Sequence, residues 1–220
     1  MRVTHIGHAC LLVESAGSRV LIDPGTFATG WETLTGLDAV LITHAHPDHV
    51  DEEKLPQLLE ANGEARLLTE PALAAEMVKV GIAAEPLHPG DEVRVGELTV
   101  TGRGGRHAEI HPEIPRIGNV GLLLSADGEP TLFHPGDAYE DVPDGVDVLA
   151  VPLNAPWCAF KETAAFARAV GAPTLVPVHD GLLNETGRGL YLRQLAAYGG
   201  GEVRDLRGQG AVRLSASGDR

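Results

Sequence analysis

Short runs of apolar residues, separated by turn-forming residues, recur along this chain of 220 residues. Near the amino terminus the pattern predicts three consecutive antiparallel strands. A continuous apolar run then predicts a buried strand that leads into a histidine-rich loop. The predicted strands cover Val3–Ile6, Cys10–Glu14, Arg19–Ile22 and Ala39–Thr43.

Two segments with helical spacing follow these strands. Asp51–Ala61 begins with acidic residues, as a helix favours, and Pro71–Val80 begins at a proline and stops before Gly81. Because proline is tolerated only in a first helical turn, Pro56 leaves open whether the first segment is one helix or two short ones.

The second half of the chain repeats the order of strands first and helices afterwards. It predicts strands over Val93–Val95, Leu98–Thr101, Val120–Leu124, Thr131–His134, Val146–Val151, Thr174–Val178 and Ala211–Leu214, and helices over Lys161–Val170 and Gly189–Tyr198. A Ser/Gly-rich or Pro-rich linker between the halves is absent from the sequence. We therefore expect one domain over residues 1–220, of the α/β class, built as a four-layer αββα sandwich with mixed β-sheets and the helices outside.

Composition and charge narrow the class of protein. With 43% hydrophobic and 22% charged residues, the chain is typical of a soluble globular protein. Its net charge of −14 argues against nucleic acid as a partner, because phosphate backbones are bound by basic surfaces. The sequence contains neither an apolar run of membrane-spanning length nor a secretory profile at its start. We expect a cytoplasmic protein that acts on a small molecule, and leave open whether it forms a homo-oligomer.

The strongest chemical signal is the segment Thr43-His44-Ala45-His46-Pro47-Asp48-His49. Imidazole nitrogens and carboxylate oxygens are the ligands of zinc and other divalent first-row metals. His44 and His46 lie two positions apart, so in extended chain they point the same way and can share one ion. Asp48 and His49 follow at the turn and can face a neighbouring position.

Further candidate ligands stand downstream, each where a predicted strand gives way to a loop. His107 follows Gly104-Gly105-Arg106, Asp137 follows a glycine turn, and His179 ends the run Val176-Pro177-Val178. Binding residues are commonly carried on such loops above a rigid scaffold.

The order of these motifs resembles the metallo-β-lactamase superfamily. His-x-His-x-Asp-His is followed by His107, by Gly136-Asp137 and by His179. The opening motifs, Gly7-His8-Ala9-Cys10 and Leu21-Ile22-Asp23-Pro24, are similar to the branch that contains L-ascorbate phosphate lactonases and the phospholipase D acting on N-acyl phosphatidylethanolamines. The resemblance spans residues 3 to 181 and implies the four-layer fold and two divalent metal ions.

The resemblance also implies a ligand set. His44, His46 and His107 would hold one metal, Asp48, His49 and His179 the second, and Asp137 would bridge both. His111 is the rival of His107, which is preferred because its Gly-Gly-x-His-Ala context matches the family position. Zinc is the first expectation for the metal, and manganese, iron or nickel also suit these ligands.

Such a site implies a binuclear metal-dependent hydrolase. A metal-bound hydroxide would attack an ester, lactone or phosphodiester, and Asp48 would be the catalytic side chain that orients the nucleophile and carries a proton to the leaving group. An iron-dependent oxidoreductase on the same fold, or a non-catalytic metal-binding protein, are the alternative functions.

Several neighbours of these motifs have a functional and a structural interpretation. As substrate-binding candidates we consider His8, Trp157 and Arg106, with Arg103 and Arg116 beside it; a hydrogen-bonded histidine, a core tryptophan and exposed arginines are the alternatives. As residues that could support the ligands we consider Asp23, His134 and Asp180. Their alternatives are a turn-capping carboxylate, strand-end packing and a cap at Gly181, respectively.

Overall fold

A computed structural model describes residues 1–216. Within them, the backbone forms two seven-stranded sheets and four helices. The sheets pack face to face and the helices cover their outer faces, so the predicted α/β class and four-layer αββα sandwich are confirmed.

The first sheet contains the strands of the amino-terminal half. They are β1 (Arg2–Gly7), β2 (Cys10–Ser15), β3 (Ser18–Ile22), β4 (Ala39–Ile42), β5 (Arg66–Thr69) and β6 (Glu85–Pro86), and β14 (Val212–Arg213) adds to its edge. Their spatial order is β14-β1-β2-β3-β4-β5-β6. The first three strands are antiparallel, as predicted, and β3 to β6 run parallel.

The second sheet has the same plan. Its strands are β7 (Glu92–Val95), β8 (Leu98–Gly104), β9 (Val120–Ser125), β10 (Leu132–His134), β11 (Val148–Pro152), β12 (Thr174–Val178) and β13 (Glu202–Val203). They lie in the order β13-β12-β11-β10-β9-β8-β7. An antiparallel meander from β7 to β10 gives way to parallel pairing from β10 to β13.

Each sheet is covered by two helices. Helices α1 (Leu55–Ala61) and α2 (Pro71–Lys79) pack on the first sheet, and α3 (Phe160–Val170) and α4 (Glu185–Tyr198) on the second. The largest apolar cluster lies between the sheets, where Leu41 packs with side chains such as Val100, Leu122 and Val176. Because both faces of the central strands are buried, these strands read as continuous apolar runs.

The first helix begins later than the sequence predicts. The Asp51 carboxylate accepts hydrogen bonds from the backbone N–H groups of Glu53 and Lys54, and these residues form a turn. The helix starts at Leu55 and has Pro56 in its first turn, so the segment holds one helix. Conversely, α4 begins earlier than predicted, because Asn184 caps it by accepting from the Gly187 N–H at 2.9 Å.

The loops that matter for function leave one edge of the sandwich. β4 leads into the 44–49 loop, while β8, β10 and β12 lead towards His107, Asp137 and His179. The two sheets meet at this edge, where the Val120 N–H donates to the Thr43 carbonyl at 2.9 Å. Among the described residues there is no helix with the length and apolar composition that crossing a membrane demands.

Candidate metal centre

Two groups of potential metal ligands lie side by side at this edge. One contains His44, His46, His107 and Asp137, and the other contains His8, Asp48, His49 and His179. Within each group the ligand atoms all lie within 4.8 Å of one another. The structure therefore brings together all seven residues proposed as ligands from the sequence, and adds His8.

Asp137 lies between the two groups. Its Oδ1 is 3.2 Å from His49 Nε2, and its Oδ2 is 3.2 Å from His179 Nε2 and 3.5 Å from His107 Nε2. The carboxylate thus faces histidines of both groups, which is the arrangement that a bridging ligand requires.

Hydrogen bonds on the far side of the rings orient the histidines. His107 Nδ1 lies 2.6 Å from the Ala108 carbonyl and His179 Nδ1 lies 2.7 Å from the Asn154 carbonyl. Because a carbonyl oxygen only accepts, each Nδ1 carries the proton and donates it. Each Nε2 therefore turns a lone pair towards the centre of the site.

Asp23 supports one histidine of each group. Its Oδ2 accepts from His49 Nδ1 at 2.7 Å and from the Thr43 hydroxyl at 2.8 Å. The Thr43 Oγ1 is in turn 3.0 Å from His44 Nδ1. Since the hydroxyl proton goes to the carboxylate, Thr43 accepts the proton of His44, and His44 Nε2 is left to face His46 Nδ1 at 3.1 Å.

Four buried polar atoms at this site have no hydrogen-bond partner. They are His49 Nε2, His107 Nε2, His179 Nε2 and Asp137 Oδ1. Leaving a buried polar atom unpaired costs about 1–3 kcal/mol, so a cluster of four calls for a ligand. Nitrogen and carboxylate donors that converge from buried positions fit a divalent cation of the zinc type.

The electrostatics of His44, His46 and Asp48 agree with this fit. Burial lowers the pKa of His44 well below 6.5 and also lowers that of His46, so both rings are neutral and able to ligate. Although burial acts in the opposite direction, the hydrogen bond from His8 and the nearby His49 and His179 lower the pKa of Asp48 from 3.8 to about 2. Asp48 is therefore ionised at neutral pH. At His49 burial alone would lower the pKa, but the two neighbouring carboxylates raise it well above 6.5, so a cation there would take the place of the second ring proton.

The backbone is strained at three of these positions. His8, Asp23 and His179 adopt positive φ angles of 51°, 46° and 56°. Positive φ angles are energetically unfavourable for residues other than glycine. Such angles persist where surrounding contacts impose them, often at functional sites. Gly25 adds a close approach, because a Cβ at that position would lie 2.0 Å from the Asp48 carbonyl oxygen.

Comparison with known proteins agrees with this geometry. The model of the β-lactamase superfamily domain matches residues 2–179. The chain belongs to this superfamily. A protein of Mycobacterium tuberculosis, Rv0786c, is 46% identical over 196 residues, which cover 89% of this chain and 91% of that protein.

A second relative and one solved structure are also similar to this chain. A UPF0173 metal-dependent hydrolase of Azorhizobium caulinodans is 32% identical over 207 residues, covering 82% of this chain and 86% of its own. Among solved structures, the metallo hydrolase Igni18 of Ignicoccus hospitalis superposes with a TM-score of 0.77 at 17% identity, over 98% of this chain and 99% of that one. At that identity the likeness shows the superfamily fold alone.

His107 and His111, the two candidates for the third histidine ligand, have different surroundings. His107 is buried in the first ligand group, whereas His111 is exposed and its Nδ1 accepts from the Glu113 N–H. The geometry therefore favours His107 as the third histidine.

Trp157 contacts the centre directly. Its Nε1 donates to Asp137 Oδ2 at 2.7 Å, and its half-buried ring lies edge-on to the His107 ring, with 6.2 Å between the centroids. The structure thus favours the functional interpretation of Trp157 over a core position. His134 is buried and belongs to neither ligand group. Its Nε2 lies 3.1 Å from the Ala9 carbonyl and its Nδ1 accepts from the Gly136 N–H, so it supports the turn before Asp137.

One prediction from the sequence needs correction. Asp180, expected to accept from a ligand histidine, instead accepts from Arg188 Nε at 2.6 Å. Arg106 is exposed, and its expected neighbours already have partners: Arg103 pairs with Asp141, and Arg116 donates to the His107 carbonyl and to Glu140. Arg103 and Arg116 are therefore not free to bind an anion, whereas the substrate-binding role of Arg106 stays a prediction.

The sequence analysis missed two supporting residues. Asn119 accepts from the Asp137 N–H at 2.9 Å and donates to the Pro135 carbonyl, so it holds the turn that carries Asp137. Thr43 joins Asp23 to His44. The available signal was a polar residue at the end of a predicted buried strand: Asn119 precedes one and Thr43 ends one. A polar side chain that is buried there needs a hydrogen-bond partner.

Proposed function

We propose that this chain is a hydrolase that binds two divalent metal ions, with zinc as the first expectation and manganese, iron or nickel as alternatives. His44, His46 and His107 would hold one ion, Asp48, His49 and His179 the other, and Asp137 would lie between them. The observation that supports this most strongly is the convergence of four unpartnered buried atoms, His49 Nε2, His107 Nε2, His179 Nε2 and Asp137 Oδ1.

Two bound cations would supply Lewis acidity and would lower the pKa of a shared water to ≈ 7. Asp48 would orient that water, because its side chain is 21% exposed and ionised. Its low pKa makes the carboxylate better suited to accept a hydrogen bond than to store a proton. Trp157 would restrict the Asp137 carboxylate by its hydrogen bond and exclude solvent on that side.

The surroundings of the site favour an uncharged ester or lactone over a phosphodiester. Arg103 and Arg116, which flank the His107 loop, are neutralised by Asp141 and Glu140. An anion entering here would have to displace these partners. The net charge of −14 adds to this preference.

A groove beside Trp157 offers room for an apolar part of such a substrate. It has a volume of about 620 Å³ and its apolar lining includes Tyr139, Val142, Trp157 and Phe166. Apolar walls next to a few convergent polar groups are typical of small-molecule sites. We propose that the groove receives the acyl or alkyl group of the substrate.

The test combines metal analysis with a substrate screen. Purified protein should contain about two zinc or manganese ions per chain, and it should cleave a generic lactone or aryl ester faster than a phosphodiester or thioester. A chelator should remove the activity, and zinc or manganese should restore it. Full activity after chelation would refute the proposal, and visible iron absorption with redox turnover would favour the oxidoreductase instead.

A further inference from the structure

His8 stands among potential ligands, yet its hydrogen bonds define a different role. Its Nδ1 accepts from the Gly181 backbone N–H at 3.0 Å, and its Nε2 lies 3.0 Å from Asp48 Oδ2. A backbone N–H can only donate, so Nδ1 carries no proton. In neutral imidazole the proton then sits on Nε2, the atom that faces Asp48.

The ring is held firmly in this orientation. It packs against Phe27 at 5.1 Å and against His179 at 3.9 Å between ring centroids. The backbone of His8 is fixed as well, since its carbonyl accepts from the His179 N–H at 2.8 Å and lies 2.9 Å from His5 Nε2. A flip that freed Nε2 for a metal would break the bond from Gly181.

We propose that His8 is a positioning residue that donates its Nε2 proton to Asp48 and is not a ligand of the second metal ion. The inference rests on the proposed metal centre, because Asp48 is one of its proposed ligands. His8 fixes one carboxylate oxygen and so decides which oxygen Asp48 turns towards the ion and its water. Carboxylates that ligate metals are commonly held in this way by a neighbouring donor.

Gly181 makes this arrangement possible. A Cβ at position 181 would lie 2.9 Å from His8 Nδ1 and 3.1 Å from a Phe27 ring carbon. Gly181→Ala should therefore push the imidazole away from Asp48 while it leaves all seven proposed ligands in place.

The decisive experiment is long-range ¹H–¹⁵N NMR of the histidine rings in ¹⁵N-labelled, zinc-loaded protein. The His8 signals, assigned by their loss in His8→Gln, should show a protonated Nε2 and an unprotonated, unmetallated Nδ1. A His8 Nε2 without a proton and with the shift of a zinc-bound nitrogen would overturn the inference while leaving the proposed metal centre intact. Protein that binds no zinc at all would instead refute the proposed function.

Metal stoichiometry supplies a second measurement. His8→Ala should still bind two zinc ions per chain, with affinity at one site about 10–100-fold weaker. His8→Gln, whose amide can donate to Asp48, should recover part of that loss. Loss of one whole zinc ion from both variants would identify His8 as a ligand. His88→Gln, at an exposed position, is the matched control and should behave as the wild type.

Discussion

His49 and Asp23 are joined by a hydrogen bond of 2.7 Å between Nδ1 and Oδ2, and neither side chain is exposed to solvent. Through Thr43 the same carboxylate also reaches His44. One buried acid therefore orients a histidine of each ligand group.

Asp23→Asn should weaken metal binding at both sites. The carboxylate accepts from His49 Nδ1 and the Thr43 hydroxyl on Oδ2, and from the Thr43 backbone N–H on Oδ1. An amide replaces one of these two oxygens with an NH₂ donor, so at least one donor loses its acceptor. We expect affinity to fall about 10–100-fold and the free energy of unfolding to fall by about 1–3 kcal/mol. Competition with a chelating dye and urea unfolding measure the two effects. Asp127→Asn, at an exposed position, is the control, and equal affinities for the two variants would contradict the role of Asp23.

Asp137→Ala and His46→Ala should differ in how much metal they lose. Because Asp137 faces both groups, its removal should deplete both ions, whereas His46→Ala should remove about one and spare the other. Both variants should lose activity by at least ~100-fold and retain the wild-type circular dichroism spectrum. Elemental analysis distinguishes them, and unchanged metal content in Asp137→Ala would refute its position between the ions.

Trp157 should report metal binding by fluorescence. The chain has two tryptophans, and Trp31 is fully buried in the apolar cluster that contains Leu55 and Leu58 of α1, where its Nε1 donates to the Ala28 carbonyl. Since Trp157 donates to Asp137, metal titration should change its emission. Trp157→Phe should abolish that change and retain the metal. A titration signal that persists in this variant would place the responsive tryptophan elsewhere.

Arg188 should contribute to stability in a pH-dependent manner. It donates to Asp180 and forms two hydrogen bonds with Asp205. Those bonds from Arg188 lower the pKa of Asp205 below 3.8, although burial opposes the shift. A depressed folded-state pKa gives stability that is present above the unfolded value and is lost as the pH falls through the folded value.

Arg188→Met should therefore flatten the acid side of the stability curve. It leaves the buried Asp180 without its partner, which costs about 3–5 kcal/mol near neutral pH. The difference between wild type and variant should shrink as the pH falls below about 4. Urea unfolding from pH 3 to pH 7 tests this, and a difference that does not depend on pH would contradict it.

Ala165→Trp should separate substrates by size. Ala165 is exposed on α3 and lines the groove beside Trp157, so a larger side chain should fill it. We expect kcat/KM for a hexanoyl aryl ester to fall about 10-fold or more, with little change for the acetyl ester. Lys161→Trp, exposed on the same helix, is the control. Equal losses for both esters would place the acyl group outside the groove.

The sequence predicts most strands well and also identifies the seven candidate ligands that the structure brings together, because both depend on local signals. Apolar runs such as those at β4 and β12 can only be buried, and His44 to His49 are compact in sequence. Strands β5, β6 and β13 escape prediction, since each is short and takes its structure from parallel pairing with a neighbour distant in the chain.

Pairings between distant side chains were the other source of error. The Asp180 carboxylate is adjacent to a proposed ligand in sequence, yet Arg188 on α4 takes it. Arg116 lies near the His107 loop, yet it braces the backbone of that loop. Which of several charged neighbours forms a pair is decided by tertiary packing, which a single sequence does not encode in local spacing.

The proposed ligands come from both halves of the sandwich, because the first sheet carries the 44–49 loop and the second carries His107, Asp137 and His179. Bound metal ions would hold the two sheets together, because neither sheet alone supplies all the proposed ligands of either ion. Separation of the two sheets at this edge would release the metal ions before either sheet unfolds. Metal loss should thus be an early sign of damage, and refolding should restore catalysis only after the halves have docked.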